Sequence, residues 1–277
     1  MLRIVLLAQV LIFVFLSLPA IAVADHPVLK GQKALTRSQV NSLQENRKGI
    51  NDFYFIGFAP YSTEDVFMNE ATYVRNLFDL QYDTLNRSIL MVNNPKSLNL
   101  YPAATLNNLD TVFKKIGSLI NPDEDIVVLY ITSHGEKELG VSLKFENAGE
   151  LAPEKKYLDA ESLLHLFDEN NIKWRIIFIL SCYSGGFIDK LKNEYTLIIT
   201  SASKERPSFG CGHHGDFTQF GEVMFRNRLS KSSDFITSFD LARLEVEKLE
   251  KSMDLKPSEP QIFVGDKIRL LLEKVIQ

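Results

Sequence analysis

The chain has 277 residues, 45% of them hydrophobic and 24% charged, with a formal net charge of -4. Those proportions suit an ordinary globular protein of one large domain or two small ones. The charge excludes the basic field expected of a nucleic-acid-binding protein and gives no polybasic membrane patch. Two cysteines, Cys182 and Cys211, are too few for a disulfide-built scaffold, and a single bridge between them is the plainest alternative use.

The amino terminus reads as an export signal. Arg3 supplies a positive start, Ile4 to Leu18 is an apolar run of about 15 residues, and Pro19 precedes the small residues Ala22-Val23-Ala24. The run is short for a transmembrane span, which needs roughly 20 residues, and Gln9 interrupts it. Residues 1–24 are therefore expected to be cleaved, leaving no stable membrane insertion and a mature protein that is periplasmic or secreted. An uncleaved anchor is the competing reading. Residues 25–50 follow as a polar leader with weak structural signals, and residues 51–277 form the main body.

Within that body, strands alternate with helices. Asp52 to Phe58 predicts a strand ended by Pro60, and Thr63-Glu64-Asp65 opens a helix over Val66 to Leu80. Arg87 to Val92 predicts a second strand and Thr105 to Ile120 a second helix. Asp125 to Ile131 and Trp174 to Leu180 are too uniformly apolar to have a wet face, which is the mark of a parallel sheet covered on both sides. Asp159 to Glu169 predicts a helix between them, and Tyr195 to Thr200 a further strand. Helices follow over Gly221 to Leu229 and Ser238 to Met253, then a short strand at Gln261 to Val264 and a terminal helix over Lys267 to Ile276. The alternation predicts an α/β three-layer α-β-α sandwich with a mainly parallel sheet.

In such sheets, ligands bind where loops leave the carboxyl ends of the strands. That rule selects Ser133-His134-Gly135, the loop from Ser181 to Gly186, and Ser201 to Gly215. His134 and Cys182 each closely follow a buried strand, so both should surface at one rim of the sheet. An imidazole within hydrogen-bond reach of a thiol can ionise it, which makes His134 a candidate base and Cys182 a candidate nucleophile. Gly135 lets the backbone approach a bound carbonyl and aim its amide at a developing oxyanion; Gly185 and Gly186 would keep the wall beyond the thiol low. Ser201 and Ser203, at the start of the third loop, are candidate substrate-binding residues. Asp216, Asn51 and Asp52 are available as a third, orienting member, but the sequence assigns none of them.

Two other chemistries fit less well. Cys211-Gly212-His213-His214-Gly215-Asp216 concentrates metal-ligand types, yet a tetrahedral site needs convergence from separated segments and no second cluster stands out, so no metal or other cofactor is expected. Ser184 lacks the Gly-x-Ser-x-Gly elbow of a serine hydrolase.

The blocks Leu129 to Gly135 (LYITSHG) and Phe178 to Gly186 (FILSCYSGG) resemble the two catalytic blocks of the legumain-like cysteine peptidases, peptidase family C13, and more distantly those of the caspase and gingipain clan. The interval from His134 to Cys182 is also close to the roughly 50 residues between the corresponding pair in caspases. Thr200 to Cys211 and Phe220-Gly221-Glu222 extend the similarity. The resemblance implies a caspase-like fold, a His134–Cys182 dyad, and oxyanion donors at the amides of Gly135 and Cys182. It implies a peptide or protein substrate cleaved through a thioester, which an amine could intercept in a transamidase. A caspase-like binding protein without turnover is the reading from a different class.

The resemblance breaks at the specificity pocket. Legumains hold an asparagine side chain with a basic residue after the first strand and with acids near and downstream of the nucleophile. Here Ala59 to Asp65 has no Arg or Lys, and Tyr183 follows the nucleophile where an acid would stand. Glu222 matches the downstream acid. A pocket lined by Glu222 without its cationic partner is expected to accept Lys or Arg.

Overall fold

A computed structural model describes residues 31–212 and 215–276. The expected export signal, residues 1–24, lies outside the described residues, as do His213 and His214. Nine strands are present among the described residues. β1 (Phe53–Ala59), β2 (Ser88–Val92), β3 (Ile126–Thr132), β7 (Trp174–Leu180), β8 (Thr196–Thr200) and β9 (Gln261–Val264) form one sheet in the order β2-β1-β3-β7-β8-β9. All neighbours are parallel except β9, which runs antiparallel to β8. β4 (Gly135–Glu136), β5 (Gly140–Ser142) and β6 (Tyr157–Leu158) form a small antiparallel sheet just beyond β3.

The two-residue period of a strand sends alternate side chains to opposite faces, and each face has its own core. Phe55, Val128, Tyr130, Ile176 and Phe178 pack on one side against α2 (Asp65–Gln81), α7 (Phe235–Ser252) and α8 (Asp266–Val275). Ile56, Leu129, Ile131, Ile177 and Ile179 pack on the other against α3 (Leu106–Leu119) and α4 (Ala160–Glu169). The uniformly apolar runs thus record burial on both faces. Helix starts follow their side chains: Thr105 accepts from the Asn108 N–H and Asp159 from that of Ser162, N-caps worth ~1 kcal/mol each.

Two segments differ from the sequence expectation. Gln32–Asn41, within the polar leader, is helix α1. Gln32 is buried, with its amide bonded to Leu98 O and Ala103 N, and Gln39 Nε2 donates to Leu100 O at 2.7 Å. These long-range bonds stand in for an apolar stripe. After α5 (Ile188–Leu191), α6 (Gln219–Gly221) opens the helix expected over 221–229, but Glu222–Arg228 then widens into π-helical turns.

Candidate active site

β3 and β7 pair in parallel with Thr132 opposite Leu180, and the Ser133 N–H bonds to Leu180 O. His134 and Cys182 therefore leave the sheet at equivalent heights on one rim. Gly135 packs directly against the second loop: a Cβ there would overlap Cys182 O and lie 2.9 Å from Ser181 Oγ. Ser142 N–H donates to His134 O, which makes Gly135–Val141 the non-hydrogen-bonded pair of the β4–β5 ladder. The Gly135 amide consequently faces away from β5.

Cys182 is partly buried and its thiol is free, as is that of Cys211, so the bridge considered from the sequence is not formed. The Ser208 N–H donates to Cys182 Sγ at 3.3 Å, and the thiol lies 3.6 Å from Ser208 O. The next residue, Tyr183, adopts the left-handed conformation at φ 59° and donates its N–H to Arg206 O. Residues 206–208 thus lie alongside the thiol loop. Burial pushes the Cys182 thiol up from its ordinary value, and the bond from Ser208 opposes that shift.

His134 sits among aromatic edges, with ring centroids 4.5 Å from Tyr61 and 5.2 Å from Phe67. Its Nε2 lies 3.8 Å from Glu64 Oε1. Burial pushes the imidazole down from its ordinary value, while Glu64 pulls it up and Lys144 adds to the lowering. Both members of the pair are thereby biased toward their neutral forms in the resting protein.

The other residues singled out in the sequence have the following surroundings. Asn51 and Asp52 precede β1, at the opposite end of the parallel sheet from His134: Asn51 bonds Glu124 O, and Asp52 holds Arg47 and Arg87. Asp216 accepts from Asn69 at 3.3 Å. Ser201 is buried and donates to Ser181 O; Ser203 is buried and donates to Glu259. Ser184 is buried against Ala202. Glu222 is half exposed and faces Arg226 one helical turn on, at 3.5 Å. Gly185 is buried, and a Cβ there would strike Lys204 N and Gln261 Oε1, so close packing requires the glycine. Two surface hollows, one lined by Lys33, Thr105 and Pro153 and the other by Phe239, Arg243 and Gln261, include neither His134 nor Cys182.

Beneath the rim lies a group the sequence analysis overlooked. Glu70 of α2 is fully buried and accepts four hydrogen bonds, from Tyr130 OH, Thr132 Oγ1, and the N–H and hydroxyl of Thr218. It ties α2 and β3 to the segment that follows Cys211. Glu70 was legible in outline, since it falls in the buried stripe of Val66, Phe67, Ala71 and Val74.

A mostly parallel sheet covered on both faces, with its candidate residues at the strand ends, defines a caspase-like α/β sandwich. Caspase-1 from Spodoptera frugiperda has a similar structure, with a TM-score of 0.53 at 13% identity over 81% of this chain and 90% of that one. For drICE the TM-score is 0.44 at 13% identity, over 80% of this chain and 91% of that one. The Peptidase C13 family model matches residues 91–268, more than half of the chain, and the protein belongs to that family of cysteine peptidases. A comparison with curated proteins gives no match. The matched segment includes His134, Cys182 and Ser208, whereas Glu64 and Glu70 precede it. Among the described residues, no helix is long and apolar enough to cross a membrane.

Proposed function

We propose that this protein is an exported cysteine endopeptidase in which Cys182 is the nucleophile and His134 the general base. The observation that carries the reading is the Thr132–Leu180 register, which brings both residues to one rim of the sheet. Proton transfer from the thiol to the imidazole gives a thiolate that attacks the scissile carbonyl. The oxyanion that forms is held by the amides of Gly135 and Cys182. The imidazolium then protonates the leaving amine, and a thioester remains. Water, deprotonated by His134, releases the acid and restores the thiol. If an amine takes the place of water, the same intermediate gives a transferred peptide.

Export rests on the amino-terminal pattern of Arg3, the apolar run and Ala22-Val23-Ala24. Sequencing the amino terminus of the protein recovered outside the cytoplasm tests it, and an intact Met1 there would contradict cleavage.

The activity is tested with a peptide library and an acyloxymethyl ketone that alkylates activated thiols. Cleavage is expected together with labelling at Cys182, and both are lost in Cys182→Ala and His134→Ala. Silence of the wild-type protein in both assays, at neutral and acidic pH, would leave a binding protein on a peptidase scaffold.

A further inference from the structure

The reading of Cys182 and His134 as a dyad leaves the imidazole with a second nitrogen to be accounted for. A catalytic imidazole works in one tautomer, and the hydrogen bond at its far nitrogen selects which one. Nε2 is the nitrogen turned toward Glu64, at 3.8 Å from Oε1. The Glu64 side chain is largely buried, at 13% exposure, and its other oxygen accepts from Thr63 Oγ1 at 2.7 Å. Glu64 itself is the N-cap of α2, so its backbone is anchored at the start of a 17-residue helix. The carboxylate therefore reaches the imidazole from a fixed support, with Tyr61 and Phe67 edging the ring.

We propose that Glu64 is the positioning residue of the dyad: its carboxylate accepts from His134 Nε2–H, which leaves the Nδ1 lone pair to take the Cys182 proton, and its charge stabilises the imidazolium that results. This rests on the dyad reading above. It fills the third place that Asn51, Asp52 and Asp216 leave vacant. The charged groups acting on His134 are Glu64 before α2, Glu136 on β4 and Lys144 after β5. Lys144 is also held by Glu146 at 2.9 Å and lies over the Tyr61 ring. Among these groups, Glu64 is the one in ion-pair reach of the ring.

The physical consequence is a larger population of the thiolate–imidazolium pair. That population rises tenfold for each unit by which the imidazole gains on the thiol, and a facing carboxylate supplies about 1–3 units. Positioning and charge are separable by substitution. Glu64→Gln keeps an acceptor for Nε2–H but removes the charge, whereas Glu64→Ala removes both.

The test measures iodoacetamide alkylation of Cys182 against pH, read by peptide mapping so that Cys211 does not interfere, in the wild type, Glu64→Gln, Glu64→Ala and His134→Ala. In the wild type, the rate should plateau between two ionisations, and His134→Ala should abolish the plateau. Glu64→Gln should lower the plateau about tenfold and shift its acid limb to lower pH. Long-range nitrogen NMR of His134 should give the Nε2–H tautomer in the wild type and Glu64→Gln, and a mixture in Glu64→Ala. An unchanged plateau in Glu64→Gln, with His134→Ala inactive, overturns the role of Glu64 and leaves the dyad standing. Identical profiles for wild type and His134→Ala defeat the dyad itself. Should the Glu64 variants fail to fold, the wild-type tautomer decides alone: Nδ1–H would refute the proposal.

Discussion

The main-chain N–H of Ser208 points at the sulfur of Cys182 across 3.3 Å, from a segment 26 residues further along the chain. A thiolate accepts such a bond more strongly than a thiol, because charge-assisted hydrogen bonds are roughly twice as strong as neutral ones. Ser208 therefore favours the ionised nucleophile through its backbone, independently of its hydroxyl. Ser208→Ala keeps the N–H and is expected to leave thiol reactivity within about twofold. Ser208→Pro removes the donor and should cost ~1.5–3 kcal/mol of thiolate stabilisation, a loss of roughly 10- to 100-fold in alkylation rate at neutral pH. Equal rates for the two variants, both confirmed folded by circular dichroism, would contradict this.

Gly135 occupies a position with no room for a side chain. Its Cβ would overlap the Cys182 carbonyl and press on the Ser181 hydroxyl, so Gly135→Ala must push the two loops apart. Overpacking of this kind costs ~1–3 kcal/mol. Because the displaced atoms belong to the nucleophile loop, the expected signature is a fall in kcat with little change in KM. Stopped-flow measurement of acylation with an activated ester checks it; a change confined to KM would place Gly135 in substrate binding only.

Much of this architecture was legible because two-sided burial leaves a strong sequence signal. Asp125 to Ile131 and Trp174 to Leu180 could only be interior strands, and their ends located His134 and Cys182. β4 to β6 were missed because elements of two or three residues have no periodicity to detect. α1 was missed for another reason: its place is set by the Gln32 and Gln39 side chains bonding distant carbonyls, which local propensity does not encode. Glu64 could be read only as an acidic first-turn residue. Its approach to His134 joins segments 70 residues apart, a fact of tertiary structure alone.

Glu222 is the specificity-pocket residue that the family resemblance implies, and its surroundings make that role open to test. It stands half exposed with Arg226 one turn away, an arrangement worth at most ~1 kcal/mol at the surface. Glu222→Ala is expected to leave the melting temperature and the cleavage preference at the residue before the scissile bond unchanged. Library profiling of the variant decides the matter: selective loss of cleavage after Lys and Arg would restore Glu222 to the specificity pocket.

Glu70 yields a prediction whose sign depends on pH. Burial raises its carboxyl above the ordinary value, and the donors Tyr130, Thr132 and Thr218 oppose that shift. A carboxyl raised on folding contributes stability fully below the unfolded value near ~4.3 and loses it as pH rises through the native value. Glu70→Gln cannot titrate, so its deficit in melting temperature against the wild type should be largest at acid pH and should narrow toward neutrality. A deficit that widens with rising pH would mean that the four donors hold the ionised form in the native state. Glu70→Ala removes the acceptor altogether and strands the Thr218 N–H and the hydroxyls of Tyr130 and Thr132 in the interior. That loss should cost ~3–5 kcal/mol at acid pH, and the deficit should narrow as pH rises, as it does for Glu70→Gln. Because Thr218 closes the segment that begins beside Cys182, Glu70→Ala should also raise proteolytic susceptibility between Ser208 and Thr218 before the core unfolds. Limited proteolysis followed by mass spectrometry separates that local opening from global loss of the fold.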